Sequence, residues 1–132
     1  MRRAVAILLV LPALAGCTQT SAATENFEGE EKRIAQVVVD LSDDAARGKQ
    51  AEVCDQRLST ALRDKVAGDG TCAEELEKAF GDAGGAVLEV EDVTVTGSTA
   101  IARVSSEDRD RTVTRSFKLV KESQRWRIDS FG

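Results

Sequence analysis

The sequence contains no histidine and no tyrosine, which limits the chemistry that its side chains can perform. A histidine general base, an imidazole metal ligand and a tyrosine acid are therefore excluded. The three cysteines are Cys17, Cys54 and Cys72, and no two of them form a CxxC pair. This spacing disfavours a metal site, for which no histidine would complete the ligand set. A disulfide or a reactive thiol is the chemistry that remains for the cysteines.

Residues 1–16 have the composition of a secretory signal. Arg2 and Arg3 precede an apolar run from Ala4 to Ala15, which is shorter than the about 20 residues that a transmembrane helix needs. Such a run fits the apolar core of a signal peptide. The stretch that follows, Leu14-Ala15-Gly16-Cys17, resembles a bacterial lipoprotein signal. The resemblance implies cleavage before Cys17 and attachment of lipid, such as palmitate, to that cysteine.

This signal predicts a division of the chain into three parts. They are a signal peptide over residues 1–16, a lipidated cysteine with a flexible tether over residues 17–26, and one domain over residues 27–132. We expect the domain at the outer face of the cytoplasmic membrane, in the cell envelope. Its net charge changes from −5 to −7 when Arg2 and Arg3 leave with the signal. An acidic domain without a basic stripe predicts no nucleic-acid partner and no attraction to anionic lipids, so the lipid must hold it to the membrane.

Cys54 and Cys72 are the cysteines left for pairing once Cys17 carries lipid. An exported chain meets an oxidising compartment, which favours a disulfide between them over a reactive thiol or a metal site. Both lie on the apolar stripes of neighbouring predicted helices. Closing a loop of roughly 18 residues contributes about 3 kcal/mol in the chain-entropy model. The sequence therefore predicts a stabilising Cys54–Cys72 disulfide.

The first half of the domain has helical periodicity. Ile34, Val38 and Leu41 recur at steps of four and three, and Gly48 is suited to end the helix in a left-handed conformation. Thr71 and Glu74 have capping-box spacing at the start of a later helix. We predict helices over residues 27–47, 50–67 and 72–80, the second being one helix or two shorter ones broken near Ser59-Thr60.

The second half has the period of two that is typical of strands. We predict strands over residues 87–96, 99–105, 111–121 and 125–131, separated by short turns. In the first strand the apolar positions change parity, which a bulge near Glu91-Asp92 would explain. Four strands with short connections form an antiparallel meander with one apolar face. The expected fold class is α+β, with three N-terminal helices packed on a curved antiparallel four-stranded sheet.

This order of elements, together with the final run Arg125-Trp126-Arg127-Ile128-Asp129-Ser130-Phe131, resembles small actinobacterial lipoproteins of the nuclear transport factor 2-like superfamily. The resemblance covers about residues 27–132. It implies a cone-like fold in which the sheet wraps the first helix, with room for a pocket at the open end. The superfamily holds both enzymes and non-catalytic modules, and its enzymes use pocket aspartates with tyrosine or histidine partners. This chain has neither partner, so the resemblance implies no catalytic residue and no cofactor.

Arg115 and Trp126 are the two candidates for ligand binding. Arg115 shares its parity with Val113 and Phe117, which places a guanidinium on the face expected to be apolar. It is either at an edge from which it reaches water or an anion-recognising group at a pocket mouth. Trp126 is either part of the core or a platform for a ligand.

The sequence thus favours a lipid-anchored, extracytoplasmic binding or interaction module that is not an enzyme. Its partner is an envelope protein or a small hydrophobic ligand, neither of which the sequence names. The alternative is a carrier of a small hydrophobic ligand in a cone-shaped pocket. A module of the first kind predicts a filled cone, whereas the carrier predicts an apolar cavity of several hundred Å³.

Overall fold

A computed structural model describes residues 24–83 and 87–132. The signal peptide and Cys17 lie outside the described residues. The helices are α1 (Gly29–Ala46), α2 (Gln50–Glu52), which continues as a π-helical turn (Val53–Arg57), α3 (Thr60–Ala67) and α4 (Cys72–Ala83). The strands are β1 (Leu88–Thr96), β2 (Thr99–Asp108), β3 (Arg111–Glu122) and β4 (Arg125–Ser130). The predicted α+β class is confirmed, and the second predicted helix is two helices.

Helix α1 is the long helix that covers the sheet. Ile34, Val38 and Leu41 form its buried stripe and are at most 2% exposed. The helix ends where predicted, because Gly48 adopts a φ of 72°, a left-handed conformation that glycine enters without a steric cost. A residue with a β-carbon would continue the helix more readily at this point, so Gly48 fixes where the chain turns toward α2.

The four strands form one antiparallel sheet in the order β1-β2-β3-β4. The pairing of β1 with β2 shifts between Val90 and Asp92, which leaves Glu91 as an extra residue. This is the predicted bulge, and it lets Val90 and Val93 both face the helices although they differ in parity. The bulge also increases the local bend of the sheet, as a curved sheet around α1 requires.

The core lies between α1 and one face of the sheet, which we call the inner face. Its strand residues are each at most 6% exposed: Val90, Val93, Ala100, Ala102, Val104, Phe117, Leu119, Trp126 and Ile128. They form one cluster with the buried residues of the helices. The opposite face, which we call the outer face, carries mainly threonine, serine and charged side chains. The sheet therefore has the single apolar face that its sequence predicts.

Ser59 joins the helical half to the sheet. It is fully buried, its hydroxyl donates to Asp129 Oδ1 at 2.7 Å, and it accepts the backbone N–H of Leu62 at 3.0 Å as the N-cap of α3. Its own N–H donates to the carbonyl of Ile128 at 2.8 Å. A serine suits this position because one small hydroxyl can donate and accept at once. The predicted break near Ser59-Thr60 is confirmed, and it lies where β4 packs.

We expect Ser59→Ala to lower the free energy of unfolding by about 2.5–4 kcal/mol. The substitution removes a helix cap, typically about 1 kcal/mol, and a hydrogen bond to a carboxylate, about 1.5–3 kcal/mol. Urea denaturation followed by circular dichroism measures the change. Ser98→Ala, in the exposed turn between β1 and β2, is the matched control and should change stability by less than about 0.5 kcal/mol. Equal effects of the two variants would show that Ser59 does not join the two halves.

Candidate functional site

The predicted ligand-binding residues Arg115 and Trp126 are both on the inner face but lie far apart. Arg115 pairs with the buried Val104, and Trp126 pairs with Lys121. Lys121 follows Arg115 by six residues on β3, which corresponds to about 20 Å along a strand. The structure therefore does not bring the two candidates into one site.

Arg115 lies on the inner face, beside the C-terminal residue Gly132. Its side chain is exposed although the neighbouring Val104 and Phe117 are buried. The C-terminus of the chain lies next to Arg115, because a β-carbon built on Gly132 would be 3.5 Å from the Arg115 Cβ atom. The Phe131 ring meets Phe117 edge-on with centroids 5.4 Å apart. The first interpretation of Arg115, a position from which the side chain reaches water, agrees with its exposure. The second interpretation, anion binding by Arg115, stays a prediction.

Trp126 belongs to the core. It is 5% exposed, its indole N–H donates to the Glu30 carboxylate at the start of α1, and Lys121 Nζ lies 5.6 Å from its ring centroid. Lys121 also reaches Glu30 at 3.5 Å. The ring thus packs in the core, and its indole N–H has a hydrogen-bond acceptor, as buried tryptophans usually do. This arrangement leaves the ring face occupied by the protein itself.

The pKa of Glu30 is lowered, chiefly because the Trp126 indole donates a hydrogen bond to its charged form. Partial burial opposes this shift, and the charges of Lys121 and Arg33 add to it. A carboxyl whose pKa is lower in the folded state than in the unfolded state stabilises the fold at pH values above its unfolded-state pKa. That stabilisation is lost as the pH falls through the pKa of the carboxyl in the folded state. The contact between α1 and β4 therefore weakens in acid.

We expect Glu30→Gln to make the stability of the protein less dependent on pH below the ordinary glutamate value of 4.5. The wild type should lose stability across this acidic range, whereas the variant starts lower at neutral pH and loses less. Thermal unfolding from pH 3 to pH 7 would measure both curves. Glu31→Gln, an exposed neighbour on α1, is the matched control and should follow the wild-type curve. If both variants follow the wild-type curve, the Glu30–Trp126 bond does not hold these elements together.

Cys54 and Cys72 form a disulfide, with Cα atoms 6.1 Å apart. The predicted pairing is confirmed in the structure, and both cysteines are buried between the helices. Cys54 lies in the π-helical turn, which also positions Arg57 for a bond from Nε to Asp44 Oδ2 at 3.0 Å. Arg57 Nη1 is 3.5 Å from Asp40 as well. The buried Asp44 carboxylate is thereby paired with a charge rather than available for chemistry.

The outer face carries a cleft that the sequence reasoning missed. It encloses about 510 Å³ over the ends of β1, β2 and β3, and its lining includes Val87, Glu89, Glu91, Ser105, Glu107 and Thr112. The sequence shows acids at positions 89 and 91 and a serine two residues before Glu107. Only the strand pairing shows that they meet, because Glu89 lies opposite Ser105 and Glu107 opposite Thr112. The cleft is the candidate binding site of the described structure.

No family model and no curated protein matches this chain. Among solved structures, a crystal structure from Campylobacter jejuni, assigned as an NTF2-like transpeptidase, matches with a TM-score of 0.50. The match covers 72% of this chain and 95% of that chain at 14% sequence identity.

The chain has the NTF2-like fold.

At 14% identity the likeness concerns the fold alone. The nuclear transport factor 2-like resemblance inferred from the sequence is thus confirmed for the fold. None of the helices within residues 24–83 and 87–132 has the length and hydropathy that crossing a membrane requires. In the same part of the chain no three His, Cys, Asp or Glu side chains are grouped so that they could hold a metal ion.

Proposed function

We propose that this protein is a non-catalytic binding module, anchored by lipid on Cys17 at the outer face of the cytoplasmic membrane. The observation that carries the proposal is the packing of the inner face. Phe117, Leu119 and Trp126 fill the space beneath α1 with the protein's own side chains. A polar cleft on the outer face is open to a partner instead. This division favours recognition at the surface over chemistry or storage inside the cone.

The non-catalytic part of the proposal rests on Asp44 and Asp129, two carboxylates that already have partners within the fold. A general acid or base needs a carboxylate that is free to exchange a proton with a substrate. Asp44 is held by Arg57 at 3.0 Å, and Asp129 accepts the Ser59 hydroxyl at 2.7 Å. Both carboxylates have structural partners that connect elements of the fold. The chain also contains no histidine or tyrosine with which to build another acid or base.

The anchoring part rests on the Leu14-Ala15-Gly16-Cys17 stretch and on the distance from Cys17 to the fold. Thr24 is buried at the start of the described residues, and its carbonyl accepts the Phe27 N–H at 3.1 Å. Thr24 is the seventh residue after Cys17 in the sequence, and seven residues of chain span at most about 25 Å. A lipid on Cys17 would thus keep the domain close to the bilayer. Partners in reach would be envelope proteins or small molecules near that surface.

Native mass spectrometry of the protein purified from its own host distinguishes a filled module from a hydrophobic carrier. We expect the native mass to equal the denatured mass, apart from weakly held polar species. A carrier would instead show an apolar adduct that is present under native conditions, absent after denaturation and recovered by extraction with organic solvent. Because covalent lipid survives denaturation, the comparison separates an anchor on Cys17 from a cargo. A stoichiometric apolar adduct would contradict the proposal.

A further inference from the structure

The outer-face cleft combines negative charge with a buried hydroxyl that has no partner in the part of the chain that the structure describes. We infer that it binds a primary alkylammonium group, with Glu89, Glu107 and Ser105 as the acceptors. The inference deepens the proposed function and rests on it, because it names the class of ligand that the binding module would take. The bound group would be the end of a free aliphatic amine or the side chain of a lysine, which share this chemistry.

Ser105 points to a ligand because its hydroxyl is buried and has no partner among residues 24–83 and 87–132. It is 6% exposed and lines the cleft. Within the described residues no group donates to or accepts from its Oγ, although it has strand neighbours on both sides, Glu89 and Thr114. Buried hydroxyl groups in native proteins are almost always hydrogen-bonded. A donor from outside the chain would satisfy this one.

Glu89 and Glu107 supply negative charge that no described residue neutralises in an ion pair. Glu89 lies directly opposite Ser105, and Glu107 is the diagonal neighbour of Glu89 on the same face, a separation of about 7–8 Å in an antiparallel pair. In the described part of the chain neither forms an ion pair, whereas Glu91 is bonded to Arg103 at 3.2 Å. Two free carboxylates therefore flank the Ser105 hydroxyl.

These acceptors suit an ammonium group better than a metal ion. A primary ammonium has three N–H donors and no acceptor, which matches two carboxylates and one hydroxyl. Metal ions need ligands that converge at about 2.0–2.6 Å, and no such group occurs among the described residues. Val87 is 78% exposed at the cleft edge and offers apolar surface for an alkyl chain. A cleft of about 510 Å³ is within the usual range for small-ligand sites.

Isothermal titration calorimetry of the purified protein at low ionic strength tests the inference. The probes are n-pentylamine, Nα-acetyl-lysine methylamide and tetramethylammonium. We expect saturable binding of the first two at one site and much weaker binding of tetramethylammonium, which has the charge but no N–H donor. The tighter of the first two probes identifies a free amine or a lysine side chain as the natural source.

Three variants locate the site. Ser105→Ala, Glu89→Gln and Glu107→Gln should each weaken binding of the preferred probe by about fivefold or more, because each removes one acceptor of the ammonium. Glu31→Gln on α1 removes the same charge outside the cleft, and Ser98→Ala removes a hydroxyl in an exposed turn. These two controls should keep the affinity within about twofold. Circular dichroism verifies that every variant is folded, and the two glutamine variants carry the test if Ser105→Ala does not fold.

Affinity that is unchanged in the glutamine variants would overturn the inference, as would equal binding of tetramethylammonium and pentylamine. Absence of saturable binding to the wild type would overturn it as well. None of these results would alter a native mass without apolar adduct or a lipid on Cys17. Failure of the inference is therefore distinguishable from failure of the proposed function.

Discussion

Replacing Trp126 with alanine is expected to lower the free energy of unfolding by about 3–5 kcal/mol, the usual cost of removing a large aromatic side chain from a core. The ring is 5% exposed and packs in the cluster beneath α1. Its loss also leaves the Glu30 carboxylate without the indole donor. Urea denaturation followed by far-ultraviolet circular dichroism measures the effect, since the variant has no other tryptophan to report by fluorescence.

The matched control is Ile101→Ala. Ile101 is a large apolar residue of the same sheet, but it lies on the outer face and is 44% exposed, so its truncation should cost less than about 1 kcal/mol. A ligand platform behaves in the opposite way, because its removal spares stability and abolishes binding. A Trp126→Ala variant that is as stable as Ile101→Ala would return Trp126 to the candidate binding residues.

Removal of the Cys54–Cys72 disulfide has the second large expected effect. The Cys54→Ala/Cys72→Ala double variant should be less stable than the wild type by about 3 kcal/mol. The bond closes a loop with a sequence separation of 18, and a loop of that length restricts the unfolded chain by about this amount. Urea denaturation without reductant compares the two proteins.

A reductant provides the matched control for the disulfide. Dithiothreitol should lower the stability of the wild type nearly to that of the double variant and leave the double variant unchanged. Thiol titration of the unfolded, unreduced wild type should find neither Cys54 nor Cys72 free. Two reactive thiols, or a wild type that dithiothreitol does not destabilise, would show that the disulfide does not form in the protein.

The local patterns of this chain were sufficient to predict its elements. Helical spacing gave α1, and the parity change in β1 gave the bulge at Glu91. The interruption near Ser59 was also predicted, because a serine-threonine pair stops one helix and caps the next. In each case the residues that decide the conformation are neighbours in the sequence. The fold class followed because short connections allow few ways to pair four consecutive strands.

The contacts between distant segments were not predicted. Glu30 and Trp126 are 96 residues apart, and no local pattern shows that the start of α1 reaches β4. The exposure of Arg115 also depends on tertiary structure, because strand parity gives the face of a side chain but not whether other elements cover it. The candidate site was missed for a related reason. Glu89, Ser105 and Glu107 become neighbours only through the register of β1 with β2.

The proposed lipid on Cys17 would tether this NTF2-like domain to the membrane. Fractionation and intact mass spectrometry of the chain expressed in a lipoprotein-processing bacterium test it most directly. We expect the wild type in the membrane fraction, beginning at Cys17 and heavier than its polypeptide by the mass of the attached acyl chains. Cys17→Ala should lack that added mass. A wild-type protein that stays in the soluble fraction with an unmodified mass would contradict the account.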